Sequence, residues 1–262
     1  MPVTELRTTN PRIERALDVV EDERALLEAE RAAFARFLDR LSAVEPQVTA
    51  VPLDQEPQAP HVTRNGSRAS VADRIESAYR DTVMSTPHYA SEYGETFEVN
   101  LRSEFGTEVA CALTDSRAVS AVVLRTIRDR TRISIRQRQE FAQVVEREQD
   151  SLLAIDGELS RIEADLYELG RSSTDSTVHD PSHRDAERLG DLEDACDELA
   201  DRRQETLHSQ LSAQLVGLDG VNLMTYLYGE CDFTCPALAD VLAVLESVRR
   251  YQRRVRRRSL AQ

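Results

Sequence analysis

The densest collection of ionisable and polar aromatic side chains in this chain is His88-Tyr89, Glu92-Tyr93 and Glu95. Residues four apart share one helix face, so His88 and Glu92 would lie together, as would Tyr89 and Tyr93. An imidazole beside a carboxylate in a cleft is a general acid–base pair, able to exchange a proton with a substrate. A plainer reading makes the tyrosines core residues whose hydroxyls reach a hydrogen-bond partner, and His88 the residue that starts a helix. One short helix offers too few convergent groups for catalysis. The plainer reading is therefore preferred, with His88, Tyr89, Glu92 and Tyr93 kept as a polar cluster and no catalytic residue assigned.

Two further sets have chemistry-bearing spacing. Cys231 and Cys235 offer two thiolates to zinc, but structural zinc sites take four ligands, normally as two close pairs. His179 and His183, the candidate second pair, fall in a loop expected at the far end of the fold. The cysteines, Cys111 and Cys196 included, are read as buried small hydrophobes, and no metal or other cofactor is expected. Arg249, Arg250, Arg253, Arg254, Arg256, Arg257 and Arg258 make the last helix end basic. Such an end suits nucleic acid, an anionic surface, the chain's own acidic flank or the negative end of the helix dipole. Tyr251 is the one aromatic ring among these arginines, so base stacking has little to work with.

The composition decides between these partners. All 33 basic residues are arginine, 47 residues are acidic, and the net charge is −14. A lysine-free acidic chain matches the proteins of halophilic archaea that work in molar salt. There the acidic surface stays hydrated while salt screens its self-repulsion. Molar salt also removes most of the counterion-release term in phosphate binding, which weakens the nucleic-acid reading. With 40% apolar residues, no Trp and 31% charged residues, the profile is that of helical rods with much wet surface. Four cysteines in 262 residues do not make a disulfide framework. No signal-peptide core opens the chain, and no run approaches the roughly 20 apolar residues a membrane span requires. A cytoplasmic protein without a membrane span is expected.

The elements that must position these residues are helices. Residues 116–170 read as one long helix, roughly 80 Å at 1.5 Å per residue. Phe141, Val145, Leu152, Ile155, Leu159, Ile162, Leu166 and Leu169 recur at spacings of three and four, with Glu148 the single gap. That is a coiled-coil seam. Residues 185–215 carry a matching stripe, Leu189, Leu192, Cys196 and Leu199, resumed by Leu207, Leu211 and Leu215. Two helices of similar length joined by a polar loop should fold back as an antiparallel hairpin, about residues 116–215.

Asn10-Pro11 is a helix start, and Ile13, Val20, Leu27, Phe34 and Leu41 recur every seven residues. Leu17 and Leu38 stand at the companion positions, but Arg24 and Arg31 interrupt them, and burying those charges would be costly. The predicted division is an N-terminal amphipathic helix over 1–45, a Pro-rich linker over 46–69 and a helical domain over 70–262. Whether the first helix packs on its own chain or on a partner is left open. Ser70 with Asp73 forms a capping-box start, and short helices follow as far as residue 115, with Gly106 closing one near 96–105. Leu223, Met224, Tyr226, Leu227 and Tyr228 form the most apolar patch outside the rods, and a last helix starts near Pro236.

The segment from Tyr79 through Thr82-Val83-Met84, Pro87-His88-Tyr89, Tyr93-Gly94-Glu95, Leu101 and Glu104-Phe105-Gly106 resembles a haloarchaeal family of helical proteins known only as a domain of unknown function. The later heptads, Tyr226-Leu227-Tyr228 before Pro236 and the Arg-rich end are similar too. The resemblance implies an all-helical fold and carries over no activity, cofactor or catalytic residue. The expected fold is all-α: a long antiparallel coiled-coil hairpin on a base of short helices, plus a separate long N-terminal helix. The expected function is a non-enzymatic interaction or scaffold protein that self-associates or binds a protein partner through its seams. Nucleic-acid association through the terminal arginines is the alternative.

Overall fold

Asn10-Pro11 opens the first helix where its chemistry places it, because a proline at the first helical position lacks only an N–H that would be unbonded anyway. The computed structural model of the chain describes residues 10–45, 70–117, 119–175, 183–212 and 222–259. Among these residues all regular structure is helical: α1 (Pro11–Ser42), α2 (Val71–Arg80), α3 (Tyr89–Glu92), α4 (Phe97–Phe105), α5 (Thr107–Thr114), α6 (Ala121–Asp175), α7 (His183–Ser212), α8 (Leu223–Tyr228) and α9 (Pro236–Ser259). The expected linker 46–69 lies outside the described residues. The chain forms two compact units, one of Met1–Arg24 with Gln143–Gln262 and one of Ala25–Ala142.

In the first unit every position of the expected α6 stripe from Val145 to Leu169 is buried, Glu148 included. Leu189, Leu192, Cys196 and Leu199 of α7 are buried with it. Ion pairs join Glu148 to Arg203, Glu158 to Arg202 and Asp165 to Arg188. Along these pairs, residue numbers rise on α6 as they fall on α7. On α9, the Arg249 Nε and the Gln252 amide donate to Glu193 of α7 at 2.7 and 2.8 Å. The Tyr251 hydroxyl donates to the Leu169 carbonyl of α6 at 3.0 Å. Leu207 is only partly buried, while Leu211 and Leu215 lie where side chains are not described.

The N-terminal helix, whose packing the sequence leaves open, is buried against its own chain. Its buried stripe is Ile13, Ala16, Val20, Leu27, Phe34, Phe37 and Leu41, with Glu23 and Glu30 partly buried at the intervening positions. The companion set is therefore 16, 23, 30 and 37, and not the expected 17, 24, 31 and 38. A seven-residue repeat is satisfied by either alternation of three and four. The set chosen leaves both arginines on the wet side, where Arg31 pairs with Glu28 and Arg24 with Glu146 and Gln149.

The first turn of α1 is closed from far along the chain. Backbone N–H groups of Arg12 and Ile13 donate to one oxygen of the buried Asp240 carboxylate, both at 2.9 Å, while the Arg12 guanidinium takes the other at 3.0 Å. The Asn10 amide is turned to Asp156 at 2.8 Å, so α9 supplies the cap that Asn10 would ordinarily give.

The second unit is built on Tyr79, whose ring lies edge-on to Phe37, Phe97 and Phe105 at 5.0, 5.8 and 5.8 Å. Its buried hydroxyl donates to Asn100 at 2.5 Å. The capping box of α2 forms as expected, Asp73 N–H to Ser70 and Ser70 N–H to Asp73. Gly106 ends α4 at φ 87°, a backbone conformation that residues with a side chain rarely adopt and glycine takes at little cost. Arg117 takes φ 47° and pairs with Asp73 and Glu76, which delays the long helix to Ala121. At the other end of α1, Arg128 donates to the carbonyls of Leu41 and Val44 at 2.7 and 3.0 Å, a cation placed on a helix C-terminus.

Candidate functional site

In the second unit α1 supplies the partner that the polar cluster lacks. Glu30 sits four positions before Phe34 on the inward stripe, so its carboxylate must be satisfied there. It accepts from the Tyr93 hydroxyl and the Arg138 Nε, each at 2.7 Å, and lies 3.2 Å from the His88 Nε2. Arg138 reaches on to Glu104 at 2.7 Å, and its guanidinium stacks over the Phe34 ring at 4.3 Å. Burial alone would lower the Arg138 pKa, but Glu104 and Glu30 outweigh it and raise the value. The Tyr93 phenol is raised by burial and then by the Glu30 charge. Glu104 also accepts from the Ser134 hydroxyl at 2.9 Å.

His88, Tyr89 and Tyr93 are thus brought together, with the Tyr89 and Tyr93 ring centroids 5.5 Å apart. Glu92 is not brought in: its side chain is exposed, and His88 turns to Glu30 instead. The His88–Glu92 pair, the alternative not preferred from the sequence, does not form: His88 precedes α3 as its N-cap residue and turns to α1. The cavity bounded by Glu30, Phe34, Tyr93, Glu104 and Arg138 leaves about 10 Å³, room for a single water molecule. Glu30, Glu104 and Arg138 were not singled out in the sequence. Glu30 alone left a signal, through its place on the apolar stripe of α1.

In the first unit the gap at Glu148 is filled. Arg203, at the α7 seam position after Leu199, gives Glu148 two hydrogen bonds, Nη1 to Oε2 at 3.0 Å and Nη2 to Oε1 at 2.6 Å. Both side chains are 0% exposed. Tyr228 of α8 donates to Glu148 at 3.0 Å, and burial followed by the Glu148 charge raises its phenol pKa. Arg203 also donates to Ser151 at 2.9 Å and leaves its Nε without a partner. A bidentate pair of this kind fixes direction and register more than it adds stability.

The arginines of α9 divide into two sets. Arg249 faces α7, where it pairs with Glu193; hydrogen bonds from Arg249 and then Gln252 lower the Glu193 pKa, and the Arg256 charge, seven residues on, adds to them. Arg250, Arg253, Arg254 and Arg257 are exposed, and none makes an ion pair with another described residue. The Arg258 side chain lies outside the described residues. Cys111, Cys231 and Cys235 are partly buried free thiols, and Cys196 is buried on the seam as expected. Burial and then Asp197 push the Cys196 thiol up to about 11. Among the described residues, no three His, Cys, Asp or Glu side chains are placed to hold a metal, and no helix is long and apolar enough to cross a membrane.

No curated protein and no solved structure matches the chain. The description "Domain of unknown function (DUF7260)" applies to a family whose pattern matches residues 11–252, nearly the whole chain. That match runs from the first residue of α1 into the arginine-rich part of α9, and the chain belongs to the DUF7260 family.

Proposed function

We propose that this protein is a non-enzymatic interaction or scaffold protein of the cytoplasm of a halophilic archaeon, with α6 and α7 forming an antiparallel coiled-coil hairpin. The observation that carries the reading is the order of the ion pairs along those two helices, with their apolar stripes both buried. Leu153 and Tyr167, 51% and 44% exposed on α6, lie two heptads apart and offer a partner helix an apolar contact outside the buried stripe. An acid–base role for His88 is disfavoured by the full engagement of Glu30 and by the small cavity beside it. Analytical ultracentrifugation or light scattering in molar KCl tests the reading, and a strict monomer that binds no helical partner rejects it.

Nucleic-acid association is the second reading, favoured by the four exposed arginines of α9. Removing residues 249–258 and measuring DNA or RNA retention across a salt series decides it. Unchanged binding, or none in either form, rejects it.

A further inference from the structure

Arg250, Arg253, Arg254 and Arg257 follow the i, i+3, i+4, i+7 spacing that puts four side chains on one helix face, over roughly 10 Å. That face is opposite the buried side of α9, which carries Val241, Val244, Val248 and Tyr251. In a chain of net charge −14, four guanidinium groups in a row with no ion pair to a described residue form a local positive field. The neighbouring helix carries the opposite arrangement. Asp191, Asp194, Glu198, Asp201 and Glu205 of α7 are exposed and spaced three and four apart, so they form one stripe over roughly 21 Å. It lies opposite Leu192, Cys196 and Leu199 on that helix.

The two stripes cannot satisfy one another within one copy. Antiparallel pairing sets Glu193 beside Arg249 and Leu189 beside Gln252, which places the basic stripe level with the start of α7 and most of the acidic stripe beyond it. We infer that the occupant of the α9 basic stripe is a second copy of this chain, docked through the acidic stripe of its α7. This deepens the scaffold reading above and rests on it. Charge complementarity favours the second copy over nucleic acid. The matching acidic spacing is present on the chain itself, so the local attraction of stripe to stripe works against the overall repulsion between two copies of charge −14. Tyr251, the ring within the stripe, is buried with its hydroxyl on Leu169, so it is not free to stack a base.

A charge swap in the full-length protein tests this. The variant R250E/R253E/R254E/R257E and the reciprocal D194R/E198R/D201R are each compared with wild type by sedimentation from about 0.1 M to molar KCl. Circular dichroism checks that each remains helical. Each reversal alone should weaken self-association by at least about tenfold at low salt, and mixing the two variants should restore it. The wild-type dissociation constant should rise with salt, with association still measurable in molar KCl, and the reversals should flatten that rise. Assembly unchanged by the reversals overturns the pairing of stripes while leaving the scaffold reading standing. A wild type that stays monomeric at every salt concentration overturns the inference, and it overturns the scaffold reading as well when no helical partner binds. Retention of duplex DNA or RNA lost only in the α9 variant, without self-association, overturns the inference in favour of nucleic acid.

Discussion

Glu148 and Arg203, the charged members of two apolar stripes, meet at 2.6 and 3.0 Å with neither side chain reaching solvent. Removing one partner strands the other charge, so Arg203→Ala should cost about 3–5 kcal/mol. The double replacement Glu148→Leu with Arg203→Met, made in a Tyr228→Phe background so that no buried hydroxyl loses its acceptor, should be near neutral, or more stable by about 1–4 kcal/mol. Urea denaturation of both singles and the double gives the comparison, and a double as damaged as Arg203→Ala would show that the pair itself supplies net stability.

Arg138 holds two carboxylates at once in the second unit. Arg138→Ala should therefore cost about 3–5 kcal/mol, as for other broken, largely buried pairs. Tyr93→Phe removes one of several donors to Glu30 and should cost only about 0.5–1.5 kcal/mol. Equal effects in thermal melts would contradict the ranking.

Asp240 does the work of a cap for α1. Asp240→Ala should lose about 1–2 kcal/mol and speed hydrogen exchange at the first free amides of that helix. Exchange of the Arg12 and Ile13 amides reports it directly, and unaltered protection there would refute the assignment.

Glu163 has a buried oxygen without a hydrogen-bond partner, and burial, then Asp156 and Asp240, raise its pKa from 4.5. The folded state thus keeps this proton to a higher pH than the unfolded chain does. Its contribution favours the fold fully below 4.5 and is lost as pH rises through the raised value. Relative to Glu163→Gln, wild type should lose stability over that window. Glu158 and Glu193, lowered by hydrogen bonds from Arg202 and Arg249, act in the opposite sense and lose their contribution on acidification. They are common to both proteins, so the difference isolates Glu163.

Cys196, with its thiol at about 11 and its side chain on the seam, should resist iodoacetamide at pH 8 until the protein unfolds. Peptide mapping with and without urea measures this, and rapid labelling of the folded chain would place Cys196 outside the core.

The α6 stripe was legible because one charged residue among nine seam positions barely disturbs a 3.5-residue period. Position 203 was not, since an arginine reads as exposed until a buried acid is known to face it. In α1 the seven-residue recurrence was plain, but two alternations share it. The sequence favoured Leu17 and Leu38, while packing buried Ala16 and Phe37 and left Arg24 and Arg31 in water. That single shift also turned Glu30 inward, and with it the partner of His88 moved from Glu92 to a residue 58 positions away. Local spacing carries no trace of such a pairing.

The carboxylate that closes α1 is made 228 residues after the first amide it serves. During synthesis that delay lasts on the order of ten seconds or more at ordinary ribosomal rates. Throughout it, the nascent first turn has the Asn10 side chain and water for its unbonded N–H groups in place of Asp240. The order of translation thus keeps the start of this helix provisional until almost the whole polypeptide has emerged.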